Sequence, residues 1–128
     1  MSIQIESNVQ DRILITRYVN PIDPERDVAA VIQAITDFSH QVQGTFFDIA
    51  DVREFDLTFD TVTEALDLVR RSLAGIPVRF VIVGSGKFVE LAAQAIAQKQ
   101  YGGFEPARAF ATQEEALAYC RAELQKHD

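Results

Sequence analysis

The chain has 128 residues, a formal net charge of −7 and one cysteine, Cys120. This length is that of one ordinary domain, so residues 1–128 are interpreted as a single domain whose core needs no disulfides. With 48% hydrophobic and 24% charged residues, the composition excludes a disordered chain. The 12 basic residues are scattered among 19 acidic ones, which argues against nucleic-acid binding, because phosphates attract clustered Lys and Arg.

The sequence carries no visible targeting or membrane-spanning segment. No basic region followed by an apolar run opens the chain, and no apolar stretch approaches the length that crosses a bilayer. A single cysteine cannot form an internal disulfide, so nothing ties the chain to an oxidising compartment. We therefore expect a cytoplasmic protein that does not insert into membranes.

The first third of the chain predicts a β-hairpin followed by a helix. Alternating Ile3 and Ile5 indicate a short strand, and the β-rich residues 12–19 indicate its partner. Asp23 suits a helix N-cap before Pro24, and apolar residues then recur at helical spacing to about Val42.

The remainder alternates between strands and helices. Residues 45–50 form an apolar run typical of a central strand, and the acidic segment 51–60 that follows is predicted to be a loop. A second helix begins near Thr61, with Thr58, Asp60 or Thr61 as its cap. Further elements are predicted as a buried strand over 78–83, a helix ended by Gly102-Gly103, a short strand over 107–111 and a last helix capped by Thr112.

The resulting order is ββαβαβαβα. Strands that alternate with helices form parallel sheets, because each crossover helix packs back on a sheet face. The sequence thus predicts an α/β fold with a mixed, mostly parallel sheet and one antiparallel strand at its edge.

Three segments of the sequence resemble the STAS and SpoIIAA-like group, small domains related to bacterial anti-sigma factor antagonists. They are the strand and loop at 47–56, the core strand at 79–84, and a C-terminal pattern formed by Arg108, Phe110, Glu114, Glu115, Ala116 and Tyr119. The resemblance implies a SpoIIAA/STAS-like fold and a regulatory or protein-interaction role.

One feature of that group is missing. The antagonists carry a phosphorylatable serine directly after the second aspartate of the loop, whereas Leu57 follows Asp56 here. Thr58 comes one position later and is the nearest hydroxyl. The resemblance therefore implies a branch that lacks the phosphorylatable serine, with Asp56 and Thr58 as candidate binding residues.

Five carboxylates lie in or beside the predicted acidic loop. Oxygen ligands of this kind could hold a divalent metal, which would open the alternative of a metal-dependent enzyme. The favoured interpretation is a solvated loop with capping carboxylates and no metal. The residues are Asp48, Asp51, Glu54, Asp56 and Asp60.

The turn Gly84-Ser85-Gly86-Lys87 joins a strand to a helix N-terminus, a position that suits an anion. It matches neither a Walker motif nor the dinucleotide fingerprint, so a tight turn without a ligand is favoured. These four residues are nevertheless candidates for binding a small anionic ligand or a partner. The turn and the segment 51–61 both follow strands of a parallel sheet at their carboxyl ends, so we expect them to be neighbours.

No catalytic constellation is recognisable. Cys120 shares an apolar helix stripe with Leu117 and Leu124, which predicts core packing rather than nucleophilic chemistry. The two histidines, His40 and His127, complete no triad and no metal site.

Four aromatic residues lie in or beside predicted loops. Such side chains pack into the core, contact a partner such as a second copy of the chain, or line an apolar pocket. They are Phe55, Phe59, Tyr101 and Phe104.

The sequence favours a non-catalytic regulatory or protein-interaction module that needs no cofactor, with a protein partner or a homodimer as its binding partner. The alternatives are a protein that binds a small apolar or anionic ligand and the metal-dependent enzyme.

Overall fold

The computed structural model describes residues 3–98 and 104–126, apart from the side chains of residues 24 and 25. Five strands and four helices alternate in the predicted order. They are β1 (Ile3–Asn8), β2 (Ile13–Val19), α1 (Pro24–Ser39), β3 (Phe46–Glu54), α2 (Phe59–Leu73), β4 (Val78–Val83), α3 (Lys87–Ala95), β5 (Arg108–Phe110) and α4 (Gln113–Lys126).

The strands form one sheet in the order β1-β2-β3-β4-β5. β1 pairs with β2 antiparallel, and the three remaining pairs are parallel. The predicted mixed sheet with an antiparallel edge strand is therefore confirmed.

The helices cover both faces of the sheet. On one face, α1 packs Val31, Ile35 and Phe38 against Leu14 and Phe46. We call this face the α1–α3 face, because α2 and α3 lie on it as well. Alternate strand residues point to the opposite face, where α4 packs, and the contacting side chains there include Ile13, Phe47, Ile49, Val81, Val83, Ala116, Cys120 and Leu124.

The central strands are buried as predicted. Phe47, Ile49 and Val81 are at most 1% exposed, and Ile82 is 9% exposed on the other face. β3 is covered on both faces, which explains why its sequence is a continuous apolar run rather than an alternating one.

Several element boundaries differ from the predicted ones. α1 ends at Ser39 instead of near Val42, and Val42 continues in a turn whose N–H donates to Phe38 O. β3 continues to Glu54 and α2 begins at Phe59, so the predicted acidic loop 51–60 is wrong in its first four and its last two residues. The extension is stabilised by β2, because Arg17 pairs with Asp51 in the parallel ladder and also forms an ion pair with Glu54.

Two later elements, α3 and β5, are also shorter than predicted. α3 ends at Ala95, and the helix end predicted at Gly102-Gly103 lies outside the described residues. β5 covers three residues rather than the five predicted over 107–111. α4 begins as predicted, since Thr112 Oγ1 accepts a hydrogen bond from Glu115 N at 3.2 Å.

Candidate functional site

A cavity of about 220 Å³ lies between the sheet and helices α1, α2 and α3. Its walls are mainly aliphatic and aromatic. Half-buried Val28 and Ile32 of α1 face Ala65 and Leu68 of α2 along its helical side, and Phe80 contributes from β4. Ligand sites in proteins are commonly concave and mostly apolar in this way.

The sequence of β3 explains why the cavity exists. Its residues on the α1–α3 face are Phe46, Asp48, Ala50 and Val52. Phe46 is large and 0% exposed, whereas the smaller Asp48 and Ala50 come next along the strand. Small side chains at the centre of a sheet face, under helices held apart by larger ones, leave unfilled volume.

Among the described strand residues that line this cavity, Asp48 is the one that carries a carboxyl group. The Thr16 hydroxyl on β2 donates to its Oδ1 at 3.0 Å, and both residues are at most 2% exposed. Burial raises the pKa of Asp48 to about 7, and the hydrogen bond from Thr16 offsets part of that rise. The carboxyl is therefore partly protonated near neutral pH.

Tyr18 lies beside this pair on β2. Burial and the nearby Asp48 charge raise the pKa of its phenol well above the usual range, while a hydrogen bond with Thr16 opposes the rise. Its ring stacks on Phe55, with 6.0 Å between centroids. Tyr18 and Asp48 line the cavity, and Thr16 supports Asp48 from beside it; we call these three residues the polar floor of the cavity.

Five of the six candidate binding residues of the sequence analysis meet at a different place, at the carboxyl ends of β3 and β4, and Thr58 does not line that groove. A groove of about 490 Å³ is lined by residues 52, 53 and 55–57 on one side and residues 84–89 on the other. Asp56 and all four residues of the Gly84–Lys87 turn line it, so the sequence correctly placed the two segments side by side.

Two glycines shape this groove. A Cβ on Gly84 would lie 3.0 Å from Val52 Cγ2, so glycine permits the close approach of the turn to β3. Gly86 is the N-cap of α3 with φ at +106°, a conformation that L side chains rarely adopt. Lys87, the first residue of α3, is exposed.

Thr58 is the N-cap of α2. Its Oγ1 accepts from Thr61 N at 3.2 Å, and Thr61 Oγ1 accepts from Thr58 N at 2.8 Å. Of the three caps considered, Thr58 is therefore correct and Asp60 and Thr61 are wrong.

The five carboxylates do not form a metal site. Asp48 faces the cavity, while Asp51 lies on the α4 face, where Arg53 Nη2 donates at 2.7 Å and Gln113 Nε2 at 2.8 Å. Burial favours a higher pKa for Asp51, but these hydrogen bonds outweigh it and lower the pKa. Within residues 3–98 and 104–126, no three His, Cys, Asp or Glu side chains are grouped to hold a metal ion. The alternation of strand faces separates carboxylates that are close in sequence.

Cys120 packs in the core, as predicted. It is 0% exposed, and burial raises the pKa of its thiol to about 12. A thiol of this kind is poorly suited to nucleophilic chemistry, because the thiolate is the reactive form.

The loop aromatics divide between the core and the surface. Phe55 stacks on Tyr18, and Phe104 packs edge-on against Phe80 with centroids 5.6 Å apart. Phe59 is 58% exposed at the start of α2. Tyr101 lies outside the described residues.

Sequence reasoning raised an apolar ligand pocket only as an alternative, and it identified neither the lining of the cavity nor its polar floor. Asp48 was grouped with its neighbours in sequence, although the nearest relevant residues are Thr16 and Tyr18 on another strand. The available signal was an aspartate in the middle of an apolar strand, since such a residue needs a buried partner.

Comparison with solved structures decides the fold. An uncharacterised DUF3478-family protein with a SpoIIAA-like fold, from Shewanella loihica PV-4, superposes with a TM-score of 0.63. The two proteins share 20% sequence identity over 92% of this chain and 91% of that one. The fold of this chain is SpoIIAA-like. Neither a family model nor a curated protein sequence matches the chain.

The SpoIIAA-like fold predicted from the sequence is thus confirmed. In this SpoIIAA-like chain, none of the helices in the described segments is long and apolar enough to span a membrane. The residues that follow the strand–loop segment depart from the antagonists as noted, with half-buried Leu57 and the capping Thr58 in place of a phosphorylatable serine.

Proposed function

We propose that this SpoIIAA-like protein is a non-catalytic binding module that holds a small apolar ligand between its sheet and helices α1–α3. The observation that carries the proposal is the cavity of about 220 Å³ beneath α1 and α2. An apolar cavity of roughly 150 Å³ is already large enough to take up a benzene ring. The space here suits a substituted ring or a short aliphatic chain.

A role in binding rather than in catalysis is supported by the positions of the acidic residues and of the cysteine, the side chains that catalysis would most readily use. The acidic residues of the third strand and its loop are dispersed over two faces of the sheet. The Cys120 thiol is enclosed between α4 and the sheet, and burial raises its pKa. We also place the protein in the cytoplasm, which is supported by its single, buried cysteine.

Native mass spectrometry of the purified protein tests this function. We expect a bound apolar molecule, and we expect Ala65→Phe, which fills the cavity from α2, to lose it. Ala118→Phe is the matched control, because Ala118 is exposed on α4 across the sheet. A folded Ala65→Phe protein that retains the same molecule would contradict the proposal.

A second candidate function is contact with a protein partner at the groove between residues 52–57 and 84–89. It is favoured by the adjacency of these two segments and by the exposure of Phe59 close in sequence to the first of them. Chemical-shift mapping with cell extract should then perturb residues 51–61 and 84–87 together. Shifts that cluster around Asn8 and Gly44 instead would contradict this candidate.

Self-association remains a further proposal. The edge strand β1 exposes Ile5 at 42%, and Val9 directly after it is 45% exposed. Exposed edges of this kind invite pairing with another strand. Light scattering over a range of concentrations should detect a dimer that Ile5→Lys weakens, and a monomer at every concentration would contradict it.

A further inference from the structure

The polar floor gives the cavity one hydrogen-bonding group of unusual character. The Asp48 carboxyl is 2% exposed and lines the cavity, and Thr16 Oγ1 satisfies its Oδ1 at 3.0 Å. Within the described parts of the chain, no other side chain donates to this carboxyl. Asp48 lines the cavity, so its second oxygen, Oδ2, can form a hydrogen bond with a ligand held there.

The charges around the cavity restrict what that partner can be. Besides Asp48, the titratable side chains of its lining are Tyr18 from β2 and Glu64 from α2, whose side chain is exposed. The described residues that line it from α1 and α3 are apolar, and Cys120 of α4 interacts with Asp48 across the sheet. No Lys or Arg of the described segments lines the cavity, so an anionic headgroup would meet only like charge.

A cationic headgroup is also disfavoured. An ammonium carries three donors, and burying it beside an ionised carboxyl removes two charges from water at large cost. An uncharged ligand avoids this cost, because a protonated carboxyl donates one hydrogen bond and stays neutral.

We propose that Asp48 anchors the ligand's polar end, and that the ligand is an uncharged apolar molecule with one acceptor-only oxygen, such as a carbonyl. The inference rests on the proposed function of the cavity. The protonated carboxyl donates from Oδ2 to the ligand oxygen, while Oδ1 continues to accept from Thr16.

This arrangement makes binding depend on pH. Burial raises the pKa of Asp48 to about 7, so the donor is present in slightly acidic solution and is lost as the pH rises past that value. The ionised carboxyl repels an acceptor oxygen instead of bonding it.

Two probes of nearly equal size and shape test the inference. Acetophenone carries a carbonyl oxygen where α-methylstyrene carries a methylene group, and each is small enough for the cavity. Dissociation constants for both are measured at pH 6 and pH 8 on the full chain. At pH 6 we expect acetophenone to bind at least tenfold more tightly than α-methylstyrene, and at pH 8 we expect that preference to fall severalfold.

Two variants assign the effect to Asp48. Asp48→Asn keeps the size and a donor but cannot ionise, so its preference for acetophenone should be the same at both pH values. Asp48→Leu removes the donor and should bind the two probes about equally. Circular dichroism confirms that each variant is folded before binding is compared.

The outcomes separate this inference from the proposed function. Binding of both probes with no preference, or a preference that Asp48→Leu retains, overturns the role of Asp48 and leaves the cavity as a ligand site. Tighter binding of 1-phenylethylamine at pH 8 than of acetophenone at pH 6 overturns the uncharged ligand class. Failure of all three probes to bind the wild-type protein overturns both proposals.

Discussion

Thr16 and Asp48 lie on the same face of neighbouring strands, and the threonine hydroxyl donates a 3.0 Å hydrogen bond to the aspartate carboxyl. Both side chains are buried within a layer that is otherwise almost entirely apolar. The buried polar side chains of the α1–α3 face therefore lie together at this pair. It also makes the stability of the fold sensitive to the protonation of Asp48.

Asp48→Asn should stabilise the protein at pH 8 but not at pH 4. The folded-state pKa of about 7 lies above the value of 3.8 for a free aspartate, so the folded state binds the proton more tightly. The free energy of unfolding should then fall as the pH rises from about 4 to about 7, because the buried group ionises at a cost. The gain at pH 8 is up to about 4 kcal/mol.

Urea denaturation of both proteins across this pH range measures the effect. Asp60→Asn, at an exposed position of α2, is the control for the loss of one carboxylate. A gain for Asp48→Asn that is equal at pH 4 and pH 8 would show that ionisation of Asp48 is not its cause.

Ile49→Ala should destabilise the protein by about 2–5 kcal/mol. Ile49 of β3 is 0% exposed where the sheet packs against α4, and truncation of its side chain leaves a cavity. Ile5→Ala, at a 42% exposed position of β1, should cost much less. Chemical denaturation compares the two variants, and equal losses would be incompatible with the described core.

Most of the fold could be predicted because its signals are local. The apolar run of β3, the helical stripe of α1 and the turn residues between them each identify one element without knowledge of the others. The parallel order then follows from the alternation of strands and helices. Boundaries were less accurate, since the extension of β3 to Glu54 depends on Arg17 of β2, which is remote in sequence.

The site could be predicted only in part. The groove was found because two loops at the carboxyl ends of parallel strands must be neighbours. The cavity depends on how α1 and α2 pack over the small residues Asp48 and Ala50, and no local pattern records that packing. The positions of the acidic residues could not be predicted for a related reason. Asp48 and Asp51 point to opposite faces of the sheet once the strand continues through both.

Thr58→Ala should reduce stability by about 0.5–2 kcal/mol through loss of the α2 cap. Binding in the cavity should be unchanged, because the cap stabilises the helix end and does not line the cavity. Thermal unfolding measures the first effect and probe titration the second. Ser72→Ala, exposed near the other end of α2, is the control, and an equal loss in both variants would contradict the capping role.

Methyl NMR with α-methylstyrene tests the central claim most directly, because it reports where an apolar ligand binds. The methyl groups of Ala50, Ala65 and Ala92 line the cavity from β3, α2 and α3, whereas that of Ala118 is exposed on α4. We predict intermolecular nuclear Overhauser effects from the ligand to the first three methyl groups and none to Ala118. Contacts confined to exposed methyl groups such as those of Ile5 and Val9 would contradict the account.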